Sequence, residues 1–261
     1  MIATYGHGTH NDFVLLFDPD DQIKITPEQI AKICNRQSGI GSDGFIRIIK
    51  RDGKWFMDYR NQDGSRAEMC GNGIRVMARY LVERGHQGEG IFPINTRSGI
   101  KFLAVPANDD ISVNMGHVEE VYDDVTVRIG DQSWKAMHID VGNPHAVVFV
   151  DDLASIGDLK EAPEVDGDYP DGVNVEFVTF LPNGELAMRV FERGVGETQS
   201  CGTGTCAVAL AATLHRNKKL PSRWVINPPG GRLVVEIDGH NNPTLIGPAV
   251  LTKDVELDPY L

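Results

Sequence analysis

Short segments that alternate apolar and polar side chains run through the whole chain and predict a protein built mainly of β-strands. Clear examples are "FIRIIK", "KWFMDYR" and "KFLAV" in the first half and "AMRVFE" and "RLVVEI" in the second. Helical signals are fewer. One segment over 26–36 has Thr26 suited to cap a helix and Pro27 suited to its first position, and two longer apolar runs follow later.

The two apolar runs begin in the same way. "CGNGIRVMARYLVER" starts at Cys70 and "CGTGTCAVALAATLHRN" starts at Cys201, so each opens with Cys-Gly-polar-Gly. Glycines permit close backbone approach, and the apolar residues after them carry a helix onward. The second run is almost free of charge until His215. We therefore predict two buried central helices, each wrapped by strands and each beginning beside its cysteine.

The chain also matches itself when it is shifted by 131 or 132 residues, which predicts two structurally similar halves. The acidic stretch "GHVEEVYDD" at 116–124 is the expected boundary, so the halves are 1–120 and 121–249. Segment 157–172 is expected to be a surface connection within the second half. The matching pairs are Asn11 with Asn143, Gly53 with Gly184, Met57 with Met188, Asn61 with Glu192, Cys70 with Cys201, Ile94 with Ile226, and Gly116 with Gly247.

Charge and composition narrow the function classes. The 261 residues include 37 acidic and 25 basic side chains, and the net charge of −12 argues against nucleic acid or an anionic membrane as a partner. No apolar run is long enough for a membrane span, so a cytoplasmic protein is expected. Four cysteines are too few for a disulfide scaffold, and none form a Cys-x-x-Cys pair typical of zinc sites.

A cysteine beside a helix N-terminus has a specific chemistry. The unpaired N–H groups and the helix dipole stabilise anions, so they lower the pKa of a thiol and can also hold a carboxylate. If the two halves face each other, one thiolate removes an α-proton while the opposite thiol delivers a proton to the other face of the carbon. We see no motif for pyridoxal phosphate, nicotinamide or a metal, so the expected chemistry needs no cofactor.

The motifs "NQDGSRAEMCGNGIR", "GNPHAV", "DGVNVEFV" and "ERGVGETQSCGTGTCA" resemble those of the diaminopimelate epimerase family over essentially the whole chain. The resemblance implies pyridoxal-independent interconversion of LL- and meso-2,6-diaminopimelate, a step of bacterial lysine and peptidoglycan-precursor synthesis. It implies an α/β (α+β) fold of two pseudo-symmetric domains. Each is a mixed β-sheet or barrel around a central helix, with the active site in the cleft between them and the final strand, 250–261, joining the first domain.

The resemblance also assigns roles residue by residue. It implies that the catalytic residues are Cys70, Cys201, His145 and Glu192. It implies that the substrate-binding residues are Asn11, Asn61, Asn143, Asn174 and Arg193, together with the backbone of Gly71, Asn72, Gly202 and Thr203 as a carboxylate cradle. Neutral amides and a forked guanidinium suit a zwitterion with two amino and two carboxyl groups.

The chain departs from the family pattern at two places. His10 stands before "NDF" where the family usually has glycine, and a lysine that is often found upstream is missing. Gly44 follows the aspartate of "GIGSDG", where some members have glutamine, so no substrate contact is assigned there.

Other interpretations stay open at this point. Cys34 and Cys206 are expected to pack in the core. A proline-racemase-like isomerase usually has histidine after its first Cys-Gly, where this chain has Asn72, and a PhzF-like isomerase lacks the cysteine pair. A redox module with a Cys70–Cys201 disulfide, or a zinc site, is an alternative from a different functional class.

The expected binding partner is a small amino-acid substrate, and a homodimer is the assembly we allow for.

Overall fold

The computed structural model of the chain describes residues 1–121 and 124–261. Contacts divide these residues into two compact units. Met1–Val113 and Gly247–Leu261 form the first unit, and Asn114–Ile246 form the second. The acidic segment 116–124, our expected boundary, contains residues 122 and 123, which lie outside the described residues.

Strands dominate both units, as the alternating pattern predicts. The elements up to residue 114 are β1 (Ile2–Gly8), β2 (Asn11–Phe17), α1 (Pro27–Cys34), β3 (Gly44–Arg51), β4 (Lys54–Asn61), α2 (Gly71–Glu83), β5 (Gly90–Thr96), β6 (Gly99–Val105) and β7 (Ile111–Asn114). Those that follow are β8 (Glu119–Ile129), β9 (Gln132–Asp140), β10 (Pro144–Phe149), β11 (Glu164–Asp166), β12 (Asn174–Phe180), β13 (Leu186–Glu192), β14 (Gly196–Thr198), α3 (Gly202–His215), β15 (Ser222–Asn227), β16 (Leu233–Ile237), β17 (Pro243–Gly247) and β18 (Val250–Glu256). Short 3-10 helices cover Leu153–Ile156 and Asp258–Tyr260.

The first unit contains a mixed sheet that positions the start of α2. β2 pairs antiparallel with β1 and parallel with β3, where Phe13 lies opposite Gly44. β3 pairs antiparallel with β4, and β4 pairs parallel with β5. The C-terminal strand β18 pairs antiparallel with β1, with Ile2 opposite Glu256.

The second unit repeats this arrangement around α3. β10 pairs antiparallel with β9 and parallel with β12, where His145 lies opposite Asn174. β12 pairs antiparallel with β13, and β13 pairs parallel with β15. The segment predicted as a surface connection contains β11, which pairs with β8. This strand has three residues, and its single apolar side chain, Val165, is too little for a periodic signal.

The three α-helices begin where the sequence predicts. Thr26 caps α1 in a capping box with Gln29, and the helix ends at Cys34, two residues before the predicted end. Residues 71–81 of α2 are buried, and α3 is buried over most of its length. No helix within the described part of the chain has the length and apolar character needed to cross a membrane.

Helix α2 is buried although it carries arginines. Arg75 is fully buried and donates to the carbonyl of Gly71 at 3.1 Å and to Oδ1 of Asn72 at 3.0 Å. Arg79 donates to three carbonyl oxygens between residues 106 and 109. These acceptors satisfy the guanidinium donors, so the charged residues fit inside the unit.

A buried carboxylate anchors strand β4. Asp58 accepts from Nε of Arg60 at 3.1 Å, from Nη1 of Arg47 at 3.4 Å, and from Arg97. Burial by itself raises the pKa of Asp58, but the hydrogen bonds and charges of Arg60 and Arg97 outweigh it and hold that pKa below its ordinary value. The group is therefore ionised in the folded protein at neutral pH.

Candidate active site

Cys70 caps helix α2 in the first unit. Its backbone is extended, with φ −132° and ψ 122°, and its Sγ accepts from the N–H of Gly73 at 3.5 Å. The thiol also donates to Oδ1 of Asn11 at 3.5 Å, and the same oxygen accepts from Nδ2 of Asn72 at 3.2 Å. The structure thus brings together Cys70, Asn11 and Asn72, three residues that the sequence assigned to the site.

The amide of Asn11 is oriented by a carboxylate that the sequence analysis did not single out. Nδ2 of Asn11 donates to Oδ2 of Asp43 at 2.8 Å, and Nη2 of Arg36 donates to Oδ1 of Asp43 at 2.6 Å. Because the donor side of the amide faces Asp43, its acceptor side faces Cys70. The signal that marks Asp43 in the sequence is an acidic residue directly before the apolar strand β3.

The structure explains one of the two departures from the family pattern, Gly44, and gives no reason for His10. Thr9 and His10 both have positive φ, 51° and 57°, in the two-residue turn between β1 and β2, where glycine or asparagine is favoured. The His10 ring stacks on His7. Gly44 lies against Tyr59, and a Cβ there would sit 2.6 Å from Cε2 of that ring, so the position accommodates no side chain.

Asn61 lies at the end of β4 in a separate hydrogen-bonded cluster. Its Nδ2 donates to Oγ of Ser65 at 3.0 Å, and its backbone N–H donates to the carbonyl of the same residue. The turn after β4 therefore holds the amide of Asn61, whose substrate role stays a prediction.

Cys201 caps helix α3 in the second unit with nearly the same geometry, φ −120° and ψ 119°. Its Sγ accepts from the N–H of Gly204 at 3.4 Å and lies 3.5 Å from Oγ1 of Thr203. Burial raises the pKa of the Cys201 thiol well above its ordinary value, and the charges of Glu192 and Glu176 raise it further. The thiol is therefore protonated in the resting protein at neutral pH.

Glu192 lies next to this thiol. Its Oε1 accepts from Oγ1 of Thr198 at 2.5 Å. Burial raises the pKa of Glu192, while hydrogen bonds from Thr198 and from the Cys201 thiol act in the opposite direction. The structure places the carboxylate of Glu192 beside the Cys201 thiol. The catalytic role of Glu192 stays a prediction.

His145 is fully buried and bridges two residues. Its Nδ1 lies 2.7 Å from Oε1 of Glu176, which is also fully buried, and its Nε2 lies 3.2 Å from Oδ1 of Asn143. The sequence assigned His145 and Asn143 to the site but missed Glu176. The available signal was a single charged residue inside the apolar strand "NVEFVTF".

Asn174 and Arg193 are joined through the backbone. Oδ1 of Asn174 accepts from the N–H of Arg193 at 3.1 Å, and Nδ2 of Asn174 donates to the carbonyl of Pro144 at 3.2 Å. The guanidinium of Arg193 donates to the carbonyls of Asp171 and Gly172 at 3.3 and 3.4 Å. Asn174 thus links β10, β12 and the residue that follows β13.

The predicted carboxylate cradles coincide with the first turns of the two buried helices. α2 begins at Gly71 and Asn72, and α3 begins at Gly202 and Thr203. First-turn N–H groups lack partners within their own helix and favour anions. Among the residues that the structure describes, no three His, Cys, Asp or Glu side chains are grouped so that they could hold a metal ion.

The fold is shared with known proteins of low sequence identity. A PhzF-family phenazine biosynthesis protein of Bacillus anthracis aligns with a TM-score of 0.75 and 14% identity over 98% of both chains. A hydroxyproline epimerase of Agrobacterium vitis aligns with a TM-score of 0.74 and 15% identity over 98% of this chain and 91% of that one. The chain therefore has the two-domain α+β fold of PhzF and proline-racemase-like proteins, which confirms the predicted fold class.

Among the proteins that share this fold, sequence comparison assigns the chain to one family. The family model for diaminopimelate epimerase matches residues 3–121 and 137–252. The diaminopimelate epimerase of Streptomyces coelicolor is 44% identical over 97% of this chain and 94% of its own length. That of Thermobifida fusca is 39% identical over 95% of each chain. The chain belongs to the diaminopimelate epimerase family and is an isomerase, so the predicted resemblance is confirmed.

Proposed function

We propose that this protein interconverts LL- and meso-2,6-diaminopimelate without a cofactor, with Cys70 and Cys201 as acid and base on opposite faces of the α-carbon. One observation carries the proposal. The two cysteines cap the two buried helices with matching backbone geometry, and each sulfur accepts the N–H of the glycine three residues later.

The proposed step transfers two protons. A thiolate takes the α-proton, the electrons of the broken C–H bond form a planar carbanion, and the thiol on the other face protonates that carbon. For one direction the thiolate must form at Cys201. The carboxylate of Glu192 lies close enough for its charge to raise the pKa of the Cys201 thiol, and this closeness supports a role for Glu192 as the acceptor of the thiol proton.

Cys70 has a different neighbour. Its thiol donates to the neutral amide oxygen of Asn11, which stabilises the protonated form without adding charge. This contact suits a thiol that delivers a proton to the carbanion. When the reaction runs in reverse, the two cysteines exchange roles, so each must be able to hold and release a proton.

The same reasoning gives the substrate contacts. The backbone at the starts of α2 and α3 would bind the carboxylate next to the reacting carbon, where negative charge develops in the transition state. The amides of Asn11, Asn61, Asn143 and Asn174 would orient the amino groups. Arg193 would bind the distant carboxylate once its guanidinium leaves the carbonyls that it now contacts.

The test is proton NMR in deuterated water with LL-diaminopimelate, reducing agent and no added cofactor. We expect wild type to place deuterium at an α-carbon and to form the meso isomer, and we expect Cys70→Ala and Cys201→Ala each to abolish meso formation. Cys34→Ala is the matched control, because Cys34 is a buried thiol that hydrogen bonds to Ser42 in the core. It should retain activity.

Three outcomes would contradict the proposal. Exchange of proline or hydroxyproline with no exchange of diaminopimelate would assign another substrate. Full meso formation by either single cysteine variant would exclude the two-thiol scheme. Linked Cys70 and Cys201 peptides in the protein as purified from the cell, with no exchange after reduction, would favour the redox alternative.

A further inference from the structure

The two units are alike at their cysteines but differ directly beneath them. In the first unit, three apolar side chains lie under the start of α2, because a Cβ added at Gly73 would sit 3.0 Å from Cδ1 of Ile46, 3.0 Å from Cε of Met57 and 3.3 Å from Cε1 of Phe13. All three side chains are fully buried. The Cys70 helix therefore begins over an apolar cluster, of which Phe13 and Ile46 are the two residues compared below.

Strand register identifies the equivalent residues of the second unit. Phe13 lies opposite Gly44 in the parallel pair β2 and β3, and His145 lies opposite Asn174 in the parallel pair β10 and β12. His145 thus takes the place of Phe13. Two residues after Asn174, Glu176 takes the place of Ile46, two residues after Gly44.

Packing against the helix supports this equivalence. A Cβ added at Gly204 would sit 2.5 Å from Oε1 of Glu176, as a Cβ at Gly73 would meet Ile46. The second unit has therefore replaced a buried Phe and Ile by a buried His and Glu. A buried ionisable pair is typically no more stable than the apolar pair it replaces, because both groups must be desolvated. Stability does not explain the replacement.

We propose that Glu176 is a positioning residue: it fixes the ring of His145 through Nδ1 and leaves Nε2 as the ring nitrogen that gains or loses a proton. The 2.7 Å contact selects the tautomer in which Nδ1 carries a proton and donates it to the carboxylate. Nε2 then faces Oδ1 of Asn143, a predicted substrate contact. That oxygen can only accept, so Nε2 donates to it while it carries a proton and loses this hydrogen bond when it gives the proton up. In the first unit, as far as the structure describes it, the corresponding positions beneath Cys70 hold the apolar side chains of Phe13 and Ile46 instead of the His145–Glu176 pair.

The surroundings of Glu176 fit a carboxylate held for its charge. No hydrogen-bond partner is found for its Oε2 within the described part of the chain, although the side chain is fully buried. An amide or hydroxyl would serve as well if a single hydrogen bond were the purpose. The charges of Glu192 on β13 and Glu176 on β12 act on Cys201, and His145 on β10 lies against Glu176.

The first test needs no substrate. Long-range proton–nitrogen NMR of protein labelled at histidine nitrogens reports which ring nitrogen carries the proton. His145 is one of 8 histidines and is assigned by the loss of its signals in His145→Asn. We expect a low-field Nδ1 proton in wild type that moves or disappears in Glu176→Gln, while the other histidines keep their shifts. Unchanged His145 signals would overturn the inference.

The second test rests on the proposed function. We expect Glu176→Gln to lower kcat for meso formation roughly tenfold or more, with KM changed less than about twofold, because the substrate contacts remain. Glu176→Asp keeps the charge one methylene further back and should recover part of kcat. Glu236→Gln, which removes an exposed carboxylate paired with Arg223, is the charge-matched control.

The two tests separate the two proposals. If wild type left diaminopimelate unchanged but Glu176→Gln altered the His145 signals, the positioning role would stand and the proposed function would fail. If wild type formed meso product and Glu176→Gln changed neither the signals nor kcat, the function would stand and the positioning role would fail.

Discussion

Gly204 and Gly73 occupy the same place in two helices and give a matched pair of alanine substitutions. A Cβ at Gly204 would lie 2.5 Å from Oε1 of Glu176, and one at Gly73 would lie 3.0 Å from Cδ1 of Ile46 and Cε of Met57. The ends of Ile46 and Met57 can shift by a few tenths of an ångström within an apolar core. We therefore expect Gly204→Ala to destabilise the protein more than Gly73→Ala does.

The magnitude follows from the contacts of Glu176. To reach ordinary contact at 3.4 Å, its carboxylate must move by about 0.9 Å, which is enough to break the 2.7 Å hydrogen bond to His145. Losing a hydrogen bond to a charged group lowers the free energy of unfolding by about 1.5–3 kcal/mol. Replacing a helical glycine by alanine raises it by about 0.5–1 kcal/mol. The expected net loss is about 1–2 kcal/mol for Gly204→Ala and near zero for Gly73→Ala.

Urea unfolding followed by tryptophan fluorescence measures both variants, and an unchanged m-value shows that the midpoints can be compared. A double-mutant cycle isolates the cause. In a Glu176→Ala background the clashing atom is gone, so adding Gly204→Ala should no longer reduce the free energy of unfolding. Equal destabilisation by the two alanine variants, or a cycle without coupling, would refute the reasoning.

Three further predictions concern carboxylates. Asp43→Asn should lower kcat/KM roughly tenfold in a steady-state assay, because Asn11 loses a charged partner that orients its amide. Glu192→Gln removes a negative charge that raises the pKa of the Cys201 thiol, so Cys201 should be alkylated faster near pH 8. The rate, measured by peptide mass spectrometry, should rise about tenfold for each unit by which the thiol pKa falls. Asp58→Asn should reduce the free energy of unfolding at pH 7 by about 3 kcal/mol, because buried Arg47 and its partly buried neighbours Arg60 and Arg97 lose their shared counter-charge.

The pH dependence of Asp58→Asn has a definite sign. A carboxyl whose pKa is lower in the folded state stabilises the protein above its unfolded pKa, and this contribution disappears as the pH falls through the folded value. The difference between wild type and variant should therefore shrink in acid, and a constant difference would contradict the assignment. For Glu192→Gln, Cys70 in the same molecule is the control, and an unchanged Cys201 rate would count against the electrostatic explanation.

Local signals in the sequence determined the elements of this protein. The alternation within "KWFMDYR" and "AMRVFE" marks β4 and β13, and the capping box at Thr26 marks α1. Two Cys-Gly-polar-Gly motifs before apolar runs mark the starts of the buried helices. These features depend on neighbouring residues, so the sequence by itself reveals them. The long motifs also carried the family, which the comparisons confirm.

Only the tertiary structure decided which side chains meet. His145 and Glu176 are 31 residues apart and touch because β10 and β12 pair in parallel with His145 opposite Asn174. A shift of that register by one residue would turn Glu176 to the other face of the sheet. In the same way, Asp43 reaches Asn11 across paired strands. Strand register is a property of the folded sheet, and for that reason the ionisable pair beneath Cys201 could not be predicted from the order of residues alone.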